Sequence, residues 1–466
     1  MAKGQFQAKN IELHEKYGLF FALSPDYYSI NDTDAARIIY GHGTKYIKAE
    51  WYRAWQIPLE FLDVNMFAQR DIHQHSNSRR RYANLYSMSS LVGYEPYVDN
   101  CIKLFCDILN DSAIKNESVQ LTKLFQFYAF DVIGEITYSK QFGFLKSGTD
   151  IGNMISTIGA ILEASSIIGL FPALLAVQPL LASLGGSSTN SVIDFANERI
   201  REAKKAMLHG PDNDDASPEK QQPLTKDFCS KLIEMAESYD SKKTGQVEPD
   251  NLIAGACTQN IFAGSDTTSI TLTATLFSII KRPNVLQKLR TELDEAAQKG
   301  ELSDPPLFSE TQKLPYFQAV MKESLRLHPA VGFPLWREVP TGGATISGTY
   351  FPAGTSVGIN PWVAHRNRDV WGHDAEDFRP ERWMESSEDQ LREMNAMYMP
   401  FGLGSRTCIG KNISLLEVSK LIPQVLRKFD MNIVRGVGED GELKSRCAWF
   451  VKQKELLVTV KKHEIC

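Results

Sequence analysis

The sequence predicts a mainly α-helical fold with a small β part, and three observations support that class. Apolar residues recur at helical spacing from about residue 75 to residue 205. Residues 251–280 carry one formal charge, Asp266, and the Lys-Arg-Pro that follows is typical of a helix end. Short β-rich stretches bounded by glycine and proline occur near residues 20–30, 341–360 and 450–460.

The predicted elements follow one another along the chain. The aromatic-rich residues 20–30 predict strands near a sheet edge, and the glycines of residues 341–360 predict hairpins. Residues 205–225 are polar and predict a surface loop. Residues 164–184 form a charge-free run as long as a membrane span, but two prolines interrupt it and argue against one clean span.

Composition excludes several classes of protein. The chain has 466 residues, of which 43% are hydrophobic and 23% charged, as is ordinary for a folded protein with a large core. A net charge of -5 gives no case for nucleic-acid binding. The seven cysteines have neither CxxC nor zinc-finger spacing, which favours a reducing compartment. Length alone suggests about three domains, but no internal repeat or low-complexity linker divides the chain, so we expect one domain over residues 1–466.

One decamer surrounds Cys408 with groups that suit a metal-bound thiolate. Residues 401–410 read Phe-Gly-Leu-Gly-Ser-Arg-Thr-Cys-Ile-Gly. The glycines allow positive φ angles and close approach to a flat cofactor. A helical pattern follows from Ile413, so Cys408 precedes a helix N-terminus, where the dipole and unpaired N–H groups favour thiolate over thiol. From these residues alone, a buried structural cysteine in a glycine-rich turn is the alternative.

The decamer resembles the haem-binding loop of the cytochrome P-450 family, Phe-x-x-Gly-x-Arg-x-Cys-x-Gly, at every fixed position. The resemblance runs from near residue 16 to near residue 461. It implies the cytochrome P-450 fold, with haem b between the long helix 251–280 and the helix after the cysteine loop. A thiolate ligand to iron favours cleavage of an O–O bond. The cofactor-binding residues implied in the loop are Cys408 as the axial iron ligand, Arg406 on a haem propionate, and Phe401, Gly402 and Gly410.

Asp266 is an acid within an otherwise apolar helix. From the residues alone, two roles are open for this acid: it caps a local kink, or it relays protons. Gly264 and the neighbouring hydroxyls predict a local distortion of the helix. The run Ala263-Gly-Ser-Asp-Thr-Thr resembles the family's Ala/Gly-Gly-x-Asp-Thr-Thr motif. That resemblance implies that Asp266 and Thr267 deliver protons for O–O cleavage, and that Ala263 contacts the haem.

Three further positions resemble a structural triad of the family. Glu323 and Arg326 lie in a Glu-x-x-Arg motif, and Arg382 lies in Phe-Arg-Pro-Glu-Arg-Trp, between that motif and the cysteine loop. In the family this triad locks the helical core to the haem-binding region. Alone, the Glu-x-x-Arg spacing means only an i, i+3 charge pair on a helix.

The resemblance also implies propionate contacts outside the cysteine loop. His75-x-x-x-Arg79 stands in place of the family's Trp-x-x-x-Arg, with histidine replacing tryptophan. Arg79 keeps the propionate role, and His75 is a further candidate contact. Arg337 matches another propionate-binding arginine. A surface cation is the alternative for both arginines, although arginine suits carboxylate recognition.

The implied substrate is a lipophilic, aromatic small molecule. By the resemblance, substrate-facing residues come from residues 51–67 and from Phe262, Ala263, Val331, Gly332, Phe333 and Trp449. These positions are mostly apolar or aromatic, as core positions also are. The run Tyr-Ser-Met-Ser-Ser at residues 86–90 is most similar to fungal microsomal pisatin-demethylase-like members, which act on plant or fungal natural products. We therefore expect a role in fungal secondary metabolism.

The implied reaction is monooxygenation, either hydroxylation or O-dealkylation, with O2 and electrons from NADPH. An alternative uses the same haem-thiolate site for oxidative radical coupling or ring closure of aromatic or indole units. A non-catalytic haem sensor is disfavoured by the intact Asp266-Thr267 pair. No Gly-x-Gly-x-x-Gly fingerprint is present, so a separate NADPH–cytochrome reductase is the expected partner, with Lys411, Arg80 and Arg81 as basic contacts.

The expected location is the endoplasmic reticulum membrane, with the catalytic domain facing the cytosol. The first residues form neither a signal peptide nor a membrane anchor, so the chain as given has the character of a soluble protein. Residues 16–25 resemble the start of the catalytic domain in microsomal members, so we expect a native anchor that is missing from this chain. A naturally soluble member is the alternative. Residues 164–184 correspond to the family's lid over the substrate entrance, with a plain core helix as the alternative.

Overall fold

A computed structural model describes residues 4–56, 65–171, 174, 188–209, 226–237 and 249–464. Helices dominate it and strands form a smaller part, which confirms the predicted fold class. The helices are α1 (Phe6–Tyr17), α2 (Thr33–Tyr40), α3 (Ile72–Tyr82), α4 (Met88–Val92), α5 (Glu95–Lys115), α6 (Leu121–Tyr138), α7 (Phe144–Ser147), α8 (Met154–Ile168), α9 (Ser188–His209), α10 (Phe228–Glu237), α11 (Pro249–Ile280), α12 (Pro283–Gln298), α13 (Phe308–Thr311), α14 (Pro315–Leu327), α15 (Pro361–Ala364), α16 (Arg368–Trp371), α17 (Arg382–Glu385), α18 (Glu388–Met397) and α19 (Lys411–Lys428). The strands are β1 (Phe20–Ser24), β2 (Tyr27–Ile30), β3 (Ile47–Lys48), β4 (Ser118–Gln120), β5 (Arg337–Glu338), β6 (Ala344–Ile346), β7 (Thr349–Phe351), β8 (Ser356–Gly358), β9 (Phe429–Arg435), β10 (Ser445–Cys447), β11 (Val451–Gln453) and β12 (Leu457–Lys462).

The chain divides into two compact units built from discontinuous segments. The first unit comprises residues 1–51, 106–125 and 267–466, and the second comprises residues 52–105 and 126–266. Every strand of the described residues belongs to the first unit. The expectation of a single domain over the whole chain stays a prediction.

The first unit contains a five-stranded sheet in the order β1-β2-β8-β5-β3. Strands β2 and β8 pair in parallel, and the other neighbours pair antiparallel. A three-stranded sheet has the order β4-β12-β9, and β6-β7 and β10-β11 form two-stranded pairs. The strands predicted near residues 20–30 and 450–460, and the hairpin predicted within residues 341–360, are confirmed.

A hydrophobic core in the first unit joins this sheet to α2, α16 and α18. Its buried members include Ile39 of α2, Val357 of β8, Trp371 of α16 and Met394 of α18. Large apolar side chains of this kind each contribute about 1.5–3 kcal/mol when fully buried. The same core contains Met399, which lies two residues before the glycine-rich decamer. The decamer therefore begins at a position fixed by packing.

A buried ion cluster crosses this unit beside the core. The carboxylate of Glu323 on α14 accepts hydrogen bonds from Arg326 at 2.8 and 2.9 Å and from Arg382 of α17 at 2.9 Å. Trp383 also donates its indole N–H to Glu323, at 3.0 Å. Other guanidinium N–H groups of both arginines reach backbone carbonyls, those of His365 and Ala375 among them, and Arg382 also donates to the carboxylate of Asp374 at 3.1 Å. The structure thus brings together the three residues of the expected triad, all of them buried.

The long helix α11 is continuous from Pro249 to Ile280, as the charge-poor run predicted. The helix assignment is unbroken through Gly264, and the local distortion expected there stays a prediction. The glycine also has a packing reason. A Cβ at Gly264 would lie 3.2 Å from the side chain of Ile133 on α6, so the glycine allows the close approach of these two helices.

Two expectations fall partly outside the described residues. Of the lid expected at residues 164–184, residues 164–171 and 174 are described, and α8 ends at Ile168. Residues 210–225 of the expected surface loop also lie outside, while residues 205–209 belong to α9. Among the described helices, Ile151–Ile168 is long and apolar enough to cross a membrane, with 28% of it buried. A core helix of a soluble protein passes the same test, so this feature alone is weak support for a span.

The ion cluster predicts a large effect of one isosteric substitution. Glu323→Gln removes the charge that Arg326 and Arg382 share, and of these two buried guanidinium groups Arg382 keeps a second carboxylate, that of Asp374 at 3.1 Å. Breaking a buried ion pair by removing one partner costs about 3–5 kcal/mol. We expect the free energy of unfolding, measured by urea denaturation, to fall by that amount. Asp389→Asn, in the exposed Asp389–Arg392 pair, is the matched control and leaves the midpoint unchanged. Equal midpoints for both variants would contradict the role of the cluster.

Candidate active site

Residues 401–410 form a tight loop closed by backbone hydrogen bonds. The N–H of Cys408 donates to the carbonyl of Phe401 at 2.8 Å, and the N–H of Gly402 donates to that of Met399 at 3.0 Å. Gly402 and Gly404 have φ angles of +74° and +62°. A Cβ at Gly404 would lie 1.8 Å from the carbonyl oxygen of Tyr40, so only glycine fits there.

Cys408 lies at the N-terminus of α19, as the sequence predicted. Gly410 is the residue that caps the helix, which begins at Lys411. The side chain of Cys408 is exposed, whereas the other five cysteines of the described residues are buried. A Cβ at Gly410 would lie 3.9 Å from the sulfur of Cys408, so this glycine leaves room beside the thiol. An accessible thiol near a helix N-terminus is chemically suited to act as a thiolate ligand.

A buried histidine ties this loop to the ion cluster. His365 donates from Nδ1 to the carbonyl of Arg326 at 2.8 Å, and its Nε2 accepts the N–H of Met399 at 2.9 Å. Burial lowers the pKa of His365 to about 3, so the ring is neutral and each nitrogen has one role. Hydrogen bonds therefore connect Glu323 through Arg326 and His365 to Met399, two residues before the cysteine loop begins.

In the first unit, Arg337 and Arg406 lie close enough to Lys48 to repel its charge. Lys48 of β3 lies opposite Arg337 of β5 in the sheet register. The pKa of Lys48 is far below its ordinary value, first because the side chain is buried and then because Arg337 and Arg406 repel its charge. Like charges placed directly opposite each other destabilise a sheet. The arrangement therefore fits an anionic group, such as the two carboxylates of haem.

Sequence reasoning found Arg337 and Arg406 but missed Lys48. The signal that could have found it is a lysine between Ile47 and Ala49 in a short apolar strand, since a buried lysine needs an electrostatic reason. Arg337 is 5% exposed and donates to the carbonyl of Trp336 at 2.9 Å. Arg406 ends a 3₁₀ turn, Gly404–Arg406, and is half-buried.

On α11, the acid and its neighbours differ in exposure. Asp266 is 1% exposed, Thr267 is half-buried and Ala263 is exposed. The amide Nε2 of Gln126 on α6 donates to Oδ1 of Asp266 at 2.5 Å. Sequence reasoning missed Gln126, because 140 positions separate it from the acid and no local pattern marks it. The contact holds the carboxylate in one orientation within the second unit.

His75 and Arg79 occupy one face of α3 in the second unit. The helix begins after Asp71, whose side chain accepts the N–H of Gln74 at 2.7 Å. His75 is buried and Arg79 is half-buried. Their spacing of four residues places them one turn apart, as the motif requires. Their propionate role stays a prediction.

The expected substrate-facing residues of the first unit pack against one another. The rings of Phe333 and Trp449 lie 5.9 Å apart, and each contacts the ring of Trp51, at 6.1 and 4.8 Å. Both are 2% exposed. The N–H of Gly332 donates to the carbonyl of Trp449 at 2.8 Å, and Val331 forms a β-bridge with residue 450. These residues are core-like in the present geometry, and their substrate role stays a prediction. In the second unit Phe262 is half-buried, and residues 57–64 of the expected segment 51–67 lie outside the described residues.

Known proteins are similar to this chain over almost its whole length. The sequence model of the cytochrome P450 family matches residues 1–460. The chain belongs to the cytochrome P450 family. It is 36% identical over 434 residues to a cytochrome P450 monooxygenase of Aspergillus terreus, covering 92% of this chain and 86% of the relative. It is also 36% identical over 475 residues to a pisatin demethylase of Fusarium vanettenii, covering 100% of this chain and 85% of the relative.

The chain is a cytochrome P450 monooxygenase, so the predicted family, fold and enzyme class are confirmed. The predicted similarity to fungal pisatin-demethylase-like members is confirmed as well. The family implies haem with a cysteine thiolate ligand, O2, a redox partner and a substrate. The residues present fit that cofactor, because an exposed thiol matches its iron, and Lys48 with the two arginines that repel its charge matches its two carboxylates.

The repulsion around Lys48 predicts a pH-dependent gain of stability in Lys48→Met. Between the lowered folded pKa and the ordinary value of about 10.4, the unfolded wild-type chain holds a proton that the folded chain lacks. Folded wild-type protein therefore loses stability as pH falls through this window, and the variant does not. We expect haem-free Lys48→Met to exceed wild type in free energy of unfolding, with a gain that shrinks towards pH ~10.4.

Haem retention is expected to change in the opposite direction in the same variant. Haem propionates bound beside Lys48 would compensate its charge, so we expect Lys48→Met to lose haem to apomyoglobin several-fold faster than wild type. Lys45→Met, on an exposed side chain three residues earlier, is the control for both measurements. A variant that is less stable at every pH and retains haem as wild type does would contradict the assignment.

Proposed function

We propose that this enzyme hydroxylates or O-dealkylates a lipophilic, aromatic small molecule of fungal secondary metabolism, with Cys408 as the axial ligand of haem b. Electrons come from NADPH through a separate NADPH–cytochrome reductase. The observation that carries the proposal is the exposed thiol of Cys408 at the N-terminus of α19, inside a loop closed on Phe401. The helix dipole and nearby N–H groups lower the cost of a thiolate at that position.

The chain's own residues hold the cofactor in three ways. Arg406, Arg337 and Lys48 would bind the propionates, whose charges would offset the repulsion that both arginines exert on Lys48. Arg79 and His75 of α3 would add further contacts. Phe401, Gly402 and Gly410 of the cysteine loop would pack against the ring, and so would Ala263, which is exposed on α11. When bound, the haem supplies the activation of O2, which no side chain can provide.

The role of α11 is to deliver protons without admitting bulk water. Asp266 is buried and oriented by the amide of Gln126, at 2.5 Å. Thr267, next to it, is half-buried and can accept a proton from the acid and pass one on. A hydroxyl beside a carboxyl is suited to this work, because it both donates and accepts.

The substrate proposal rests on the apolar candidate positions and on the relatives. Packing and not charge would orient the substrate at the candidate positions, which are Phe262, Val331, Gly332, Phe333 and Trp449. Two relatives that are 36% and 34% identical to this chain are named pisatin demethylases. We infer that an aromatic ether or phenol is oxidised here. Pisatin is therefore the first compound to test as a ligand.

The proposed partner is a reductase that binds a basic surface, and the proposed location is a membrane. The reductase would meet Lys411, which is exposed at the start of α19, and the Arg80-Arg81 pair of α3, of which Arg80 is exposed. Basic rim residues chiefly steer the encounter with an acidic partner. The native enzyme would lie at the endoplasmic reticulum membrane with its catalytic domain in the cytosol.

Turnover under isotopic oxygen tests the proposed reaction, with Thr267→Ala as the diagnostic variant. Purified holoenzyme, reductase and NADPH are incubated under 18O2 with a compound that shifts the haem spin state, pisatin first. Wild type is expected to place label in the hydroxylated product, or in the aldehyde released by O-dealkylation. Thr267→Ala is expected to consume NADPH while forming peroxide in place of most product, because proton delivery fails.

Thr273→Ala is the matched control, since it removes a buried hydroxyl bonded to the carbonyl of Ser269 on the same helix. It should leave the product yield close to that of wild type. Wild-type product without label, with exchange into water excluded, would point to coupling or ring closure. Equal product yield from Thr267→Ala and wild type would remove Thr267 from the reaction.

A further inference from the structure

A phenylalanine of the first helix packs against the aromatic residues expected near the substrate. Phe6, at the start of α1, stacks on Phe333 with 4.5 Å between the ring centroids and 27° between the ring planes. The ring of Phe333 also lies 6.1 Å from that of Trp51 and 5.9 Å from that of Trp449. These four residues, here called the ring cluster, are all buried. The function proposed above uses two of them and gives α1 no role.

The backbone before Phe6 is bonded to the same part of the chain. The N–H of Cys447, the last residue of β10, donates to the carbonyl of Gly4 at 2.8 Å. A Cβ at Gly4 would lie 2.6 Å from the side chain of Arg446, so the chain passes close to β10 at this glycine. Trp449 of the ring cluster follows Cys447 by two residues. The start of α1 is therefore held beside this segment by its backbone as well as by the ring of Phe6.

Gly332 allows the segment before Phe333 to approach both α1 and the β10–β11 pair. A Cβ at Gly332 would lie 2.5 Å from the sulfur of Cys447 and 2.6 Å from Cγ2 of Val451. It would also lie 3.5 Å from Cβ of Gln7 on α1. Any side chain at this position would push these elements apart. Glycine therefore permits the close packing that brings Phe333 to the ring of Phe6.

Val331 and Phe450 form the opposite side of these two segments. They pair in an antiparallel β-bridge, and residues directly opposite each other in such a pair point to the same face. Both are half-buried, whereas their neighbours Gly332 and Trp449 are buried. Successive residues of extended chain point to opposite faces. Val331 and Phe450 therefore present an apolar face, and the ring cluster supports the segments that carry it.

We propose that Phe6 is a positioning residue for the substrate, because its ring fixes Phe333 and thereby holds the face of Val331 and Phe450 against a flat aromatic group. The inference rests on the proposed function, which includes Val331 among the substrate-facing residues. Packed side chains that are fixed before binding lose less conformational entropy when a ligand binds. Leucine in place of Phe6 is apolar but cannot stack, so the ring of Phe333 would lose its fixed orientation.

Two azole probes test the role of Phe6 in the purified holoenzyme without turnover. Imidazole and biphenylyl-imidazole both bind haem iron through nitrogen and shift its absorption band, but only the second carries a flat aryl group. The measured quantity is the ratio of their Kd values. We expect Phe6→Leu to weaken binding of biphenylyl-imidazole several-fold and to leave imidazole binding unchanged. Phe6→Tyr keeps the ring and is expected to restore the ratio of wild type.

Phe21→Leu is the matched control, because it makes the same change at a buried ring of β1 that contacts His14 of α1 at 4.7 Å. It should keep the wild-type ratio, and an equal effect in both leucine variants would overturn the proposal. An unchanged ratio in Phe6→Leu, with a changed ratio in Val331→Ala, would overturn the role of Phe6 and leave the proposed function standing. An unchanged ratio in both of these variants would overturn the substrate role of Val331 as well.

Discussion

The carboxylate of Glu323, held between two buried guanidinium groups, is the interaction on which the cysteine side of this enzyme depends. It fixes Arg326 and Arg382, whose other N–H groups hold backbone carbonyls of the loops around them. The backbone carbonyl of Arg326 accepts a hydrogen bond from Nδ1 of His365, and Nε2 of His365 accepts one from the N–H of Met399. The loop that presents Cys408 starts two residues later. A fully hydrogen-bonded buried cluster is rigid, so the thiol is positioned before any cofactor binds.

The residues around Lys48 have the opposite effect on stability. Arg337 and Arg406 repel the charge of Lys48, and this by itself lowers the stability of the protein. Functional sites often break a local rule of stability in this way and recover the energy on binding. In the function proposed above, carboxylates of the haem would compensate these charges on binding, whereas the cysteine loop is rigid beforehand.

Local sequence patterns predicted much of the fold and part of the site. The strands near residues 20–30, the helix α11 and the helix after Cys408 follow from periodicity, turn residues and charge. The decamer was enough to identify the family and the enzyme class, because its ten adjacent residues match the haem-binding loop of the family. Gln126 could not be found in this way, since its partner lies 140 positions away in sequence. Lys48 was missed although a lysine in a short apolar strand is a signal for it, because the arginines that repel its charge lie far away in sequence. The packing reason for Gly264, the side chain of Ile133 on another helix, is likewise not visible in the local sequence.

The central claim is that Cys408 binds the haem iron as a thiolate. The absorption spectrum of the reduced enzyme with carbon monoxide tests it most directly, because a thiolate ligand gives a strongly red-shifted Soret band. Wild type is expected to show that band, and Cys408→His is expected to keep haem but lose the shift. A wild-type spectrum without the shifted band, or a shifted band that persists in Cys408→His, would contradict the assignment.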